Sequence, residues 1–376
     1  MSKYLIMAFA LVVALGCERS AEVVTPDDST IEVEVPEYGY IFFDGEHTRG
    51  TLVEPEKDAN GNVTDDRLKY DFAVIGYTYI ANDWSYAEAM TKPNVFANHP
   101  QPVTWNEPNE LHEYTPTQVW LGKQSYAFFA YTPIANNITV SPQTEYGNPY
   151  IDFTFQRNNL AAQQDVMTAD NIHIDYTAHS VGFKMQHRLT AIDVTANNLY
   201  EEDVEVRITS MEITLNNLLY DKVRIPLNTT NKIAMTYPDG MANNTTVTYN
   251  LMPNSQPISV QPAAINTLLT PSGANTTMIV IPQEQYIDQN GDGDTEDNGE
   301  NLTLTGTVYV GYQTWKNGTQ IGSVTAKDYP FSFDRSLTTG QRYYVQLNFA
   351  EGNVTVGIIQ ADSWVEYEND INHDFE

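Results

Sequence analysis

Apolar residues in this chain recur mostly at every second position, in short runs broken by Gly, Pro, Asn and Asp. Ile31, Val33 and Val35 alternate with Glu32 and Glu34, the signature of a half-buried strand. YGYIFFDG follows as a second strand, Tyr38–Phe43, closed by a turn, and FAVIGYTYI (Phe72–Ile80) reads as a central strand. VFANHPQPVTW predicts two short extended pieces around Pro100 and Pro102. In QVWLGKQSYAFFAYTP, a turn at Gly122 feeds a strand apolar on both faces. YIDFTF, TTVTYNLM, TTMIVIPQ, NLTLTGTVYVGYQTW, DYPFSF, RYYVQLNF and NVTVGII continue the rhythm. Only short pieces, Asp83–Thr91, Asn158–Met167 and Gln261–Leu268, read as candidate helical turns.

Two runs slip parity. Val181, Phe183, Met185, His187 and Leu189 share one face, whereas Ile192 and Val194 continue on the other. The same happens between Val204, Val206, Ile208 and Met211, Ile213, Leu215. Such slips predict bulges or bends where a strand serves two sheets. Many short strands with little helix predict an all-β fold of β-sandwiches, and the length accommodates two in tandem. The expected division is a signal at 1–16, a tether at 17–30, an N-terminal sandwich at 31–195 and a C-terminal one at 196–376.

The opening MSKYLIMAFALVVALGC changes the picture. Lys3, a short apolar core and small residues before Cys17 form an export signal too short to span a bilayer. Cys17 is the chain's one cysteine, so no internal disulfide is available, and its position resembles a bacterial lipobox. It is the expected lipid attachment site, placing the chain at the outer membrane after a lipoprotein signal peptidase acts. Forty-nine acidic against nineteen basic residues give a formal charge of −30. That excess excludes a basic footprint for nucleic acid and suits a soluble surface protein.

Candidate chemistry is sparse. His173, Asp175 and His179 lack metal-site spacing, and no nucleophile elbow or phosphate loop occurs. His187, on an apolar face, is expected to bond a backbone carbonyl. Between Asp288 and Asn301, Asp288, Asn290, Asp292 and Asp294 alternate, with Gly293 at the sharp turn of a calcium loop. Gly299 stands where a twelfth-position Glu belongs, so a Ca²⁺-stapled hairpin and a solvated acidic tip both fit. Arg49-Gly50 lies in a loop open to a trypsin-like protease, or is an ordinary surface pair.

Taken in order, the lipobox, HTRG, FAVIGY, VFANHPQPVTW, YTPTQVWLGKQSYAFFAYTP, QQDVMTA, VGFKMQHRLTAIDV, MIVIPQ and GNVTVGIIQADSW resemble the fimbrillin family of type V pilus lipoproteins. The resemblance implies two tandem transthyretin-like (Ig-like) sandwiches, and an enzyme on that scaffold is the least expected reading for want of any site in the residues. The resemblance also implies cleavage after Arg49 by an arginine-specific protease, removing the lipidated N-terminus with the first strands. The vacated groove would then take a strand from a neighbouring pilus subunit. The closing VEYENDINHDFE is acidic and lacks the alternation of a donor strand, which fits an anchor or tip role, or donation of GNVTVGII instead. A surface lipoprotein binding glycans through Trp84, Trp105, Trp120, Trp315 and Trp364 is the competing expectation, although such tryptophans more often pack in cores.

Overall fold

The fold is that of a computed structural model. It describes residues 40–47, 56–57, 63–65, 68–79, 93–122, 124–141, 149–175, 180–200, 203–228, 234–242, 246–252, 256–269, 277–284 and 303–360. The strands are β1 (Phe43–His47), β2 (Glu56–Lys57), β3 (Val63–Asp65), β4 (Phe72–Tyr79), β5 (Gln101–Asn106), β6 (Leu111–Glu113), β7 (Ser125–Thr132) and β8 (Ile138–Val140). They continue as β9 (Tyr150–Thr154), β10 (Met167–Asp175), β11 (Val181–His187), β12 (Thr190–Asn198), β13 (Val204–Asn216), β14 (Lys222–Pro226), β15 (Val247–Asn250) and β16 (Ile258–Val260). The last are β17 (Thr267–Leu268), β18 (Met278–Val280), β19 (Thr305–Lys316), β20 (Thr319–Gln320), β21 (Thr325–Ser332), β22 (Arg342–Ala350) and β23 (Asn353–Gln360). Helix among the described residues amounts to one 3-10 turn, Leu160–Ala162.

A seven-stranded sheet runs β1-β11-β10-β7-β4-β5-β6. A five-stranded sheet follows the path β17-β12-β22-β23, with β18 also on β12. A six-stranded sheet follows β15-β13-β19-β20, with β16 on β13 and β21 on β19, and smaller sheets join β14-β9-β8 and β2-β3.

The buried side chains form two clusters, and β4 and β7 are the wall between them. Phe72, Val74, Phe128 and Ala130 point into the smaller cluster, with Phe43, Phe96 and Phe183. The alternate residues Ala73, Ile75, Tyr77, Phe129 and Tyr131 point into the larger, with Ile151, Phe153 and most later strands. Period-2 geometry makes this sharing possible, since an unbroken apolar run supplies both faces.

Both parity slips have a structural cause. The first is a change of sheet: β11 ends at His187 in the seven-stranded sheet, and β12 begins at Thr190 in the five-stranded one. The second is a bulge in β13, whose register on β19 shifts between Ile208 and Ser210. Before the bulge β13 also pairs β16, and after it β15, so the re-aimed strand takes a new neighbour on the same side.

Some expectations need correction. The second strand is not Tyr38–Phe43 closed by a turn at Asp44-Gly45; β1 runs through that pair to His47. Gly45 marks a close approach, because a Cβ there would stand 3.1 Å from that of Leu68. The VFANHPQPVTW stretch holds one strand, β5, preceded by bends. Gln261–Leu268 is turn and β17, since Ala263 and Asn266 adopt φ of 56° and 53°, which no right-handed helix tolerates. Asp83–Thr91 lies outside the described residues, as do Ile31–Val35 and the tail after Gln360.

Candidate functional site

β1 is an edge strand with a core strand's side chains. Its ladder is parallel to β11, from Phe43 opposite Val181 to His47 opposite Met185. Just upstream, Tyr40 bridges Val119, the Ile41 N–H donates to the Gln118 carbonyl at 2.9 Å, and the Val181 N–H donates to that of Phe42 at 2.8 Å. The Tyr114 hydroxyl donates to the Ile41 carbonyl at 2.9 Å, and the Leu68 N–H to that of Gly45 at 2.7 Å. The chain from Tyr40 to His47 is therefore held from both sides. β1 also packs near β6, the opposite edge of the same sheet, so it lies along the seam where the rolled sheet almost meets itself.

Alternation along this segment sorts its side chains. Ile41 and Phe43 are buried, at 0% and 4% exposure, while Phe42 between them is 51% exposed. The Phe43 ring stacks on Phe183 at 5.8 Å, meets Phe128 edge-on at 5.3 Å and tilts against Tyr114 at 5.4 Å and Phe96 at 6.0 Å. Such aromatic pairs contribute about 0.5–1.5 kcal/mol each beyond their buried area. Withdrawal of β1 would leave a furrow floored by these rings and edged by the unpaired backbone of β11.

The seam carries one buried titratable ring that the sequence did not single out. His112 on β6 packs between Phe72 (4.8 Å) and Trp105 (5.0 Å), with Nε2 3.2 Å from the Tyr70 carbonyl. Burial pushes its pKa down, against the Tyr70 hydrogen bond and the charges of Asp44 on β1 and Asp71. Burial likewise lifts the Tyr114 phenol to about 12, opposed by the hydrogen bond from the Gln118 N–H, so Tyr114 stays a donor to Ile41 at any physiological pH.

The other residues named from sequence fall elsewhere. Cys17, Arg49, Gly50 and the calcium-loop residues Asp288, Asn290, Asp292 and Asp294 lie outside the described residues. β1 ends two positions before Arg49. His187 is buried as expected, but its partner is a carboxylate rather than a carbonyl, Nδ1 lying 2.6 Å from Asp165 Oδ2. The loop before β10 carries Asp165 there, a contact across 22 positions that periodicity does not register. His173 bonds the Tyr79 hydroxyl at 3.0 Å, and among the described residues no group of three His, Cys, Asp or Glu is placed to hold a metal. Trp120 is in the core against Tyr126. Trp105 bonds Glu107, and Trp315 lies under the Arg207 guanidinium at 4.0 Å.

The described residues thus form an all-β molecule of packed sheets with a core-bearing edge strand at a seam. The fimbrillin-like family profile matches residues 81–364, most of the chain, and the chain belongs to that family. A fimbrial protein from Bacteroides vulgatus is similar in structure, at 17% identity and a TM-score of 0.56, covering 86% of this chain and 99% of that one. A candidate cell adhesion protein from Bacteroides ovatus matches at 13% identity and a TM-score of 0.51, covering 88% of this chain and 99% of its own. At these identities the likeness speaks for the fold. Among curated proteins, none matches this chain.

Proposed function

We propose that this protein is a subunit of a surface fimbria of the type V kind and assembles by strand exchange in the β1 furrow. Cys17 carries the lipid that delivers it to the outer membrane after signal peptidase cleavage. An arginine-specific protease then cuts between Arg49 and Gly50, and Ile41 and Phe43 leave with the N-terminal fragment. A strand from a neighbouring subunit fills the furrow and restores the ladder on β11. The division into an N-terminal sandwich at 31–195 and a C-terminal one at 196–376 is kept as part of this proposal, with β4 and β7 feeding both buried clusters. The 288–301 loop is proposed as a Ca²⁺ staple liganded by Asp288, Asn290, Asp292 and Asp294.

One observation carries the reading: the segment ending two residues before Arg49 is an edge strand that supplies Ile41 and Phe43 to the core. An ordinary surface loop around Arg49 would remove nothing of structural value when cut. Here the cut frees a strand whose place only another strand can take. Surface preparations left unheated should show SDS-resistant ladders, and Arg49→Ala should collapse them to monomer. Ladders that persist in Arg49→Ala would overturn exchange at this furrow.

A further inference from the structure

The β1 segment meets the core at three inward positions that differ in what they admit. Ile41 and Phe43 fill the first two, and Gly45, also buried, takes the third, while Phe42 and Asp44 between them face solvent. The third position is a notch. A Cβ there would stand 3.1 Å from the Leu68 Cβ, 3.2 Å from its Cδ2 and 3.5 Å from the Phe72 ring. Leu68 has little room to give way. Its side chain is fully buried, and its N–H donates to the Gly45 carbonyl at 2.7 Å, which pins its backbone against the strand. One residue therefore reads both a backbone acceptor and the absence of a side chain.

We propose that the furrow is selective, and that the strand it takes from a neighbouring subunit carries an aliphatic residue, an aromatic residue and a glycine at alternate positions, in the places of Ile41, Phe43 and Gly45. The proposal rests on the furrow reading above and adds the chemistry of the occupant. A strand lying as β1 does must offer carbonyls to the Tyr114 hydroxyl, the Val181 N–H and the Leu68 N–H, at the places of Ile41, Phe42 and Gly45. It must also offer an N–H to the Gln118 carbonyl at the place of Ile41, which excludes proline there. Its aromatic side chain enters among Phe96, Tyr114, Phe128 and Phe183. Side chains at the alternate, outward places are not read.

This chain holds no second segment of that kind. Of its 21 glycines, Gly45, Gly122 and Gly311 follow an aromatic residue by two positions, but Gln118 and Thr307 stand where the latter two would need an aliphatic one. The nearest alternative is in the tail, where Val365 and Tyr367 repeat the first two places and Asn369 stands at the notch. NVTVGII lacks the aromatic residue altogether. On the reading above, β1 itself leaves with the cut. The occupant is therefore a strand of a different subunit, and Asn369 is what bars the tail of a second copy.

Binding of labelled peptides to the full mature chain carrying Phe43→Ala, read by fluorescence anisotropy, tests it. That substitution loosens the chain's own β1 about a hundredfold or more and leaves the furrow walls unchanged. A peptide of the Tyr40–His47 sequence should bind, and its Gly45→Val version should bind about tenfold or more weaker. A peptide of residues 365–376 should bind no better than that, and Asn369→Gly should tighten it about tenfold. Leu68→Ala in the chain should narrow both differences. A chain carrying Ile41→Ala serves in the same way if Phe43→Ala perturbs folding. Selectivity is overturned if the Gly45→Val peptide binds like its parent, if the unaltered tail peptide binds as tightly as the Tyr40–His47 peptide, or if Leu68→Ala leaves the discrimination as large as before. Failure of the Tyr40–His47 peptide to bind either chain at up to about 1 mM would instead remove the furrow reading itself, and the selectivity with it.

Discussion

Phe43→Ala is the most informative perturbation of the furrow, because Phe43 and its neighbour Phe42 predict opposite outcomes. Phe43 is 4% exposed and touches four aromatic rings. Truncating a buried Phe removes its transfer free energy and leaves a cavity, together about 3–5 kcal/mol. The loss falls on β1, which is fixed by a five-residue ladder and a few flanking hydrogen bonds, so it should appear as local release before global unfolding. At about 1.4 kcal/mol per decade, the population with β1 undocked should rise between about a hundredfold and a few thousandfold. Native-state hydrogen exchange at the β11 amides from Val181 to Met185 reads this directly, with the β13–β19 ladder as internal control. Phe42→Ala removes a ring 51% exposed and should change exchange by no more than about 0.5 kcal/mol. Equal responses to the two substitutions, or a Phe43→Ala effect spread evenly over both ladders, would refute the idea of β1 as a separately releasable strand.

The remaining predictions concern other parts of the fold. His112 has its pKa depressed by burial, so the unfolded chain binds a proton that the folded chain resists. Its contribution is present above the unfolded value near 6.5 and is lost as pH falls through the depressed folded value; urea midpoints measured from pH 7 to 5 should fall less steeply in His112→Gln than in wild type. Gly306→Ala should destabilise by about 2–3 kcal/mol, in a denaturant titration, because a Cβ there lands on the Thr214 carbonyl oxygen and the Phe331 ring. If the 288–301 loop binds calcium, the melting temperature should rise in millimolar Ca²⁺, and Asp292→Ala should abolish the rise; an unchanged melt in wild type would remove the site.

The fold was legible where strands alternate, and less so where contacts are long-range. Unbroken apolar runs placed β4 and β7 and period 2 placed β13 and β22, while the parity slips located both the sheet change after His187 and the bulge near Thr209. β1 was misplaced because Asp44-Gly45 reads locally as a turn, whereas Leu68, from a distant segment, needs the space a Cβ at Gly45 would fill. The same limit hid the Asp165 partner of His187, since no local pattern encodes a contact across 22 positions. His112 was passed over because a lone histidine in LHE carries no signal until Phe72 and Trp105 close on it. Arg49 follows the end of β1 by two positions in the sequence, and that juxtaposition gives the furrow its proposed meaning.

Mass spectrometry of the N-terminus of subunits recovered from surface fibres tests the central claim most directly. Exchange at the β1 furrow predicts chains that begin at Gly50, with the Ile41–Phe43 segment gone. Fibre subunits that still begin at a lipidated Cys17, with β1 in place, would contradict it.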